Sequence, residues 1–359
     1  MLPELIAWAK EFLGPLYLPL YHLFHVLFPF TAPDNLHWFF LASGLAIALY
    51  FYLSKENSAG PKSVSGFARY VAPKSIYLHE SAIDDYKFYV VNQLFLLKFG
   101  AWVAGLWGMF SIAGHVRMAL NDLLGAIPPA APGALALGLY SLVLFCATDY
   151  GKWLAHFLEH KVPLLWEFHK VHHSAEVLTP VTNYRLHPVD YVVEQSIRAV
   201  ISGIVVGVFS YRFHASGLVE YTVFNMGIFS ALSWLTNYLR HSHIPVSFGR
   251  LDYVFSSPVM HQLHHSSEPR HHDKNFALVF SFWDYFAGTL YAPKGIETYR
   301  LGLYGEQPRP YRGVVSLYFA PFRSALAMLA RRMQGRNVGR NDYSAKERHG
   351  EADLNSSNV

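Results

Sequence analysis

Asp149-Tyr-Gly-Lys-Trp153-Leu-Ala-His156-Phe-Leu-Glu-His160-Lys-Val-Pro163-Leu-Leu-Trp-Glu-Phe-His169-Lys-Val-His172-His173 follows directly on the apolar run of residues 133–147. Positions i, i+3 and i+4 share one face of an α-helix. The spacing therefore predicts a helix that leaves the apolar run and carries Asp149, Trp153, His156 and His160 on one stripe. Pro163 interrupts it, and a second helix from about Leu164 presents His169, His172 and His173. The same spacing returns in His261-Gln-Leu-His264-His265, and fourteen of the 20 histidines lie between Asp149 and His272. Imidazole is the commonest protein ligand for transition metals. Eight such rings exceed the coordination sphere of one ion, so the pattern predicts two metal ions held by nitrogen.

The rest of the chain is suited to a membrane. Of its 359 residues, 52% are hydrophobic and 15% charged, against about 25% charged in an average soluble domain. Apolar runs occupy residues 38–53, 88–115 (broken by Lys98), 133–147, 199–209 and 217–239. Spanning a bilayer takes about 20 residues of helix, so some runs are short and the fourth is as compatible with dipping as with spanning. The expected fold is all-α: an integral membrane bundle of four or five membrane helices with a helical cap holding the histidines. Lys55, Lys62, Arg69, Lys74 and Lys87 flank the first loop, whereas Arg117 stands alone in residues 117–132. The positive-inside rule puts the first loop, and with it every histidine cluster, on the cytoplasmic side.

Residues 1–36 are apolar but interrupted by Pro15, Pro19 and Pro29, which predicts an interfacial or broken helix; they lack the basic start of a cleavable signal. Residues 37–325 form the expected membrane-embedded domain. Beyond it, residues 326–359 pass from a basic amphipathic end (helix from about Phe322, with Arg323, Arg331 and Arg332) into a disordered polar tail. The single cysteine, Cys146, excludes a disulfide framework, a zinc ribbon and a cysteine-ligated cluster. The net charge of +4 shows no nucleic-acid pattern.

Other residues stand near the clusters. His241 or His243 completes a coordination shell at the end of the fifth run. Asp149 is placed to accept the free ring N–H of a ligating histidine. His187, His271 and His272 are assigned supporting or gating positions. Lys152, Lys161, Arg240, Arg250 and Arg270 offer a docking patch for an acidic electron donor. Nitrogen ligands alone do not choose among iron, zinc, copper and nickel.

The succession HxxxH, HxxHH, HxxHH closely resembles the fatty acid hydroxylase/sterol desaturase superfamily of membrane di-iron oxygenases, and within it bacterial sterol-desaturase-like members. Asp149, Asn183-Tyr-Arg-Leu-His187-Pro188, His241, Asp273-Lys-Asn275-Phe and Phe282-Trp283-Asp284-Tyr-Phe-Ala-Gly288-Thr289 extend the match over about residues 70–325, with Ala72-Pro-Lys-Ser-Ile-Tyr-Leu-His-Glu-Ser81 near its start. The resemblance implies that His156, His160, His169, His172, His173, His241, His261, His264 and His265 hold two iron ions, with zinc as a misincorporated substitute. Asn237 occupies a position where some fatty acid hydroxylases carry a histidine. The implied reaction is O2-dependent hydroxylation or desaturation of a sterol-like or fatty-acyl lipid. Electrons would come from a separate ferredoxin, cytochrome b5-like protein or reductase, since the chain has neither a Rossmann glycine fingerprint nor a His-Pro-Gly-Gly motif. Three alternatives stay open: an ether-lipid-cleaving monooxygenase, a zinc-dependent membrane hydrolase using Glu159 or Glu167 as base, and a metal transporter or sensor.

Overall fold

The computed structural model describes residues 38–54, 62–95, 108–128, 130–213, 218, 221, 222, 225, 238–295, 297–303 and 311–334. Eleven α-helices occur among them: α1 (Trp38–Leu53), α2 (Val64–Val71), α3 (Lys74–Tyr77), α4 (Glu80–Phe95), α5 (Gly108–Leu124), α6 (Ala134–Lys161), α7 (Pro163–His173), α8 (Pro188–Arg212), α9 (Pro258–His264), α10 (Phe282–Ala287) and α11 (Val314–Met333). Among the described residues β-structure is limited to isolated bridges such as Phe255 to Phe280. Pro163, Pro188 and Pro258 open α7, α8 and α9, where a missing N–H costs nothing.

Helices α6 and α8 are long and apolar enough to cross a membrane. The run at 199–209 understates α8, because Asp190, Glu194 and Arg198 hide the first half of a 25-residue helix. Its outward face bears Val200 (45% exposed), Ile204 (45%) and Val208 (48%), while Ser202, Gly203, Gly207 and Ser210 are buried. A helix in water inverts that distribution; one facing lipid packs small and polar residues inward. A Cβ on Gly203 would lie 2.7 Å from the Met109 carbonyl oxygen, and one on Gly207 2.6 Å from Val116 Cβ. These two glycines, four residues apart, let α8 approach α5. Thr148 and Ser202 join α6 to α8 through a 3.2 Å hydroxyl contact.

A buried cation ties α4 to the end of α7. Arg185 (1% exposed) pairs with Asp85 of α4 at 2.6 Å and donates to the Val171 carbonyl at the end of α7, 2.8 Å away. α11 begins at Val314, eight residues before the helix expected from sequence, and runs unbroken through residue 326. Residues 1–36, most of the fifth apolar run, Asn237 and the polar tail lie outside the described residues.

Candidate metal centre

Nine buried histidines meet in two adjoining nests. The last two turns of α6 supply His156 and His160, α7 supplies three rings, and His261, His264 and His265 come from α9 and its C-cap. In the first nest His156, His160, His169, His173 and His264 each offer a ligand atom within 4.8 Å of the others; in the second, His172, His241, His261 and His265 do the same. The HxxHH spacing allows the division once the rotation of each helix is set. On α7 the i and i+4 rings, His169 and His173, enter the first nest while His172 turns into the second. On α9 the roles exchange: His261 and His265 enter the second nest and His264 the first. The His173 and His265 rings stack at 4.6 Å, so the nests share a wall.

In the second nest His241 Nε2 lies 3.1 Å from His261 Nε2 and 3.2 Å from the Nε2 atoms of His172 and His265. Four imidazole nitrogens cannot all satisfy one another by hydrogen bonding. A metal with ~2.0–2.1 Å bonds to nitrogen in tetrahedral geometry spaces its ligands by roughly 3.3–3.4 Å, close to what these rings show. In the first nest His160 Nε2 and His173 Nε2 stand 3.1 Å apart, and the Nε2 atoms of His169 and His264 are buried without a hydrogen-bond partner. The donor set therefore fits two nitrogen-ligated transition metals. Burial pushes His172, His173, His261 and His265 well below the ordinary imidazole range, and holds His241 and His264 down to about 3. Neighbouring rings add to the shift. At neutral pH these rings are uncharged and their lone pairs are free to bind.

The first nest is braced from behind. His156 Nδ1–H donates to the Phe276 carbonyl (2.9 Å) and His264 Nδ1–H to the Lys274 carbonyl (2.7 Å). His169 Nδ1 faces both carboxylate oxygens of Asp190 at 3.2 Å, with Glu159 Oε2 at 3.5 Å. Asp273 Oδ1 lies 3.7 Å from His160 Nδ1. Such partners fix the tautomer and leave Nε2 pointing inward. Glu159, His169 and Asp190 also form a close group by themselves, two acids facing one imidazole.

A tight turn aims the two carbonyls. Asp273 and Asn275 adopt left-handed φ angles of 59° and 60°, a conformation that Asn and Asp tolerate better than most residues. Asn275 donates to the Met260 and Tyr291 carbonyls (3.1 and 2.8 Å) and accepts from Tyr291 N (2.7 Å). The Asp284 carboxylate then accepts from Phe276 N (3.1 Å), Ala277 N (2.8 Å), Trp153 Nε1 (3.1 Å) and Thr289 Oγ1 (2.6 Å).

Asp149 differs from expectation. It accepts from Val279 N, Phe280 N and Trp283 Nε1 at 2.9–3.1 Å, anchoring the loop rather than a ring. Almost two helical turns before His156, it reaches the loop that crosses α6 at that level. His187 accepts from Val189 N as the N-cap of α8, and its Nε2 donates to the Tyr318 carbonyl. His243 donates to the Tyr70 carbonyl, His271 faces Glu297, and His272 lies 3.2 Å from the Ser267 carbonyl. None of these four joins a nest. The expected docking patch is largely engaged as well. Arg240 is buried (1% exposed), Lys152 pairs with Glu194, Lys161 with Asp273 and Arg270 with Glu297, leaving Arg250 exposed. Sequence reasoning missed Asp190 as a brace. An acid in the first turn of a helix has an ordinary explanation in the helix dipole, and no sequence signal distinguishes the two roles.

Residues 141–289, which contain every histidine of both nests, match the family model described as fatty acid hydroxylase. The chain is 25% identical over 161 residues to an ornithine lipid hydroxylase of Rhizobium tropici, covering 44% of each protein. It is 28% identical over 152 residues to an alkylglycerol monooxygenase of Danio rerio (42% of this chain, 30% of the relative). To the alkylglycerol monooxygenase of Xenopus tropicalis it is 22% identical over 273 residues, covering 71% of this chain and 55% of the relative. The chain thus spans between 30% and 55% of the length of these relatives. No solved structure matches it.

Proposed function

We propose that this chain, whose residues 141–289 match the fatty acid hydroxylase family model, is a membrane-bound di-iron oxidoreductase that uses O2 and external electrons to hydroxylate or desaturate a lipid C–H bond. The observation that carries the proposal is the pair of all-histidine nests at the end of the apolar helix α6. His156, His160, His169, His173 and His264 would hold one ion, and His172, His241, His261 and His265 the other. A redox-active metal pair held there would activate O2, the oxidant that attack on an unactivated C–H bond demands. The protein's own part is placement: Asp190 and the Lys274 and Phe276 carbonyls orient the rings, and the lipid-facing walls of α6 and α8 align a substrate arriving from the bilayer. Small displacements decide which carbon reacts.

The charge bias around residues 55–87 supports a multi-pass arrangement of four or five membrane helices with both nests on the cytoplasmic side. Residues 37–325 would form the membrane-embedded domain, between an apolar N-terminal segment and a basic end. Electrons would arrive from a separate ferredoxin, cytochrome b5-like protein or reductase. A second reading, oxidative cleavage of an ether lipid, is favoured by the similarity to alkylglycerol monooxygenases. The zinc-hydrolase alternative loses both nominated bases: Glu167 pairs with Lys170 at 2.9 Å, and Glu159 lies behind His169 against Asp190. Transport is disfavoured because the nests sit at one end of α6, away from its middle.

Lipid extracts of cells with and without the protein, grown under 18O2, test the proposal. A lipid carrying one 18O atom, or having lost two hydrogens, is expected only with protein and oxygen together. Products unchanged by anoxia would overturn it.

A further inference from the structure

The outer face of α11 carries an apolar stripe that the described residues leave largely exposed. Val315 (73% exposed), Phe319 (67%), Phe322 (45%), Leu326 (66%), Leu329 (42%) and Met333 (89%) follow one another at alternating steps of four and three. At about 100° per residue they form one line along the helix. Arg323 and Arg332 flank that line, roughly a quarter turn to either side, and both are exposed. The helix contains no Asp or Glu, and Arg336 and Arg340 follow it in sequence. Isolated apolar residues are ordinary on a protein surface, but a continuous row marks an interaction site.

Where α11 sits decides what covers it. Gly313 N donates to Asp84 at the start of α4 (2.8 Å), Leu317 packs with Phe88, and Tyr318 OH bonds to Asn92. α11 therefore follows α4 toward its apolar half. The Tyr318 carbonyl accepts from His187, the residue that caps the apolar helix α8, and the Phe322 ring lies 5.4 Å from the His187 ring. The middle of the exposed row thus lies beside the first turn of α8, the end that carries Asp190.

The geometry points to α11 as an interfacial helix, its apolar row sunk in the bilayer surface and its arginines holding anionic lipid headgroups. A long aliphatic stem lets arginine stay beside an immersed row while its charge remains in water. The alternative occupant, a second copy packed through the same face, would set arginines against arginines with no acid on either helix. α11 also packs on α7, where Phe322, half covered at the edge of the row, meets Phe168 at 5.1 Å beside His169. Immersion of α11 would therefore fix the height of the nests above the lipid. This inference rests on reading α6 and α8 as membrane spans.

Spin labels test it in the full chain, reconstituted in nanodiscs of phosphatidylcholine with or without phosphatidylglycerol. In a Cys146→Ser background, single cysteines replace Leu326, Met333, the exposed Ala327 about a third of a turn from the row between Arg323 and Arg331, and the lipid-facing Leu139 of α6. Labels at 326 and 333 are expected to resemble the label at 139, more accessible to oxygen than to a water-soluble nickel chelate, with the reverse at 327. Arg323→Glu with Arg332→Glu should make the 326 label several-fold more accessible to nickel in anionic discs only. Water-accessible labels at 326 and 333 beside a lipid-embedded label at 139 would overturn the inference and leave the spans intact. Spin–spin broadening from a second copy, or shielding from both reagents by another segment, would overturn it too. Nickel access at 139 would instead refute the spans themselves.

Discussion

Asp284→Asn removes one charge and one acceptor from a buried carboxylate that receives four hydrogen bonds. Oδ1 accepts from Trp153, Phe276 and Thr289, and Oδ2 from Ala277. With the amide oxygen on the three-donor side, three bonds fall from charge-assisted to neutral strength, about 1 kcal/mol each. The new NH2 group meets Ala277 N–H and leaves a buried donor unsatisfied, costing about 1–3 kcal/mol. Flipping the amide is worse, because it opposes three donors. The expected cost is about 4–6 kcal/mol, a large part of the ~5–15 kcal/mol that stabilises a typical domain. It falls on the turn whose carbonyls orient His264 and His156, so the first nest should suffer before the second. Thermal unfolding and metal content of purified protein read both effects. A His172→Ala background isolates the first nest: that variant should keep about one metal ion per chain, and adding Asp284→Asn should remove it. Asp284→Asn with unchanged unfolding and full metal content would refute the reasoning.

Asp190→Ala, which takes away the acceptor behind His169, should weaken metal binding in the first nest about 10–100-fold, in line with the loss of other such partners; competition with a chelator measures it, and Asp190→Asn should recover part of the loss. Gly207→Leu puts a side chain where Val116 Cβ already stands 2.6 Å from the added carbon; α5 and α8 must separate, and folded yield in detergent should collapse, whereas Val208→Leu on the exposed face should be silent. The metal-free protein should lose stability on acidification. His241 and His264 stay neutral in the fold to about 3, while the unfolded chain takes up their protons from about pH 6.5. As pH falls through that window each ring removes on the order of 1 kcal/mol of stability per pH unit, so a flat unfolding profile between pH 7.5 and 5 would contradict the burial assigned to these rings.

The histidine spacing was legible because a helix converts i, i+3 and i+4 into one face. His169, His172 and His173 could be grouped from sequence alone, as could the helix break at Pro163. Their division between two nests was not legible, since the rotation of α7 and α9 about their own axes is set by tertiary contacts such as Arg185 with the Val171 carbonyl. Proximity in sequence misled at Asp149, which looks upward to His156 on the same helix but bonds a loop from residues 279–283. His187, His243, His271 and His272 share the chemistry of ligands, yet each spends a ring nitrogen on a cap, carbonyl or carboxylate. α8 was underestimated because charged residues in its first half break an apolar run without breaking a helix.

Metal content per chain tests the central claim most directly. Protein purified in detergent and loaded anaerobically with ferrous iron should hold two ions per chain. His160→Ala and His172→Ala, one from each nest, should each retain about one. A single ion in the wild-type protein, or two ions retained by both variants, would contradict the account.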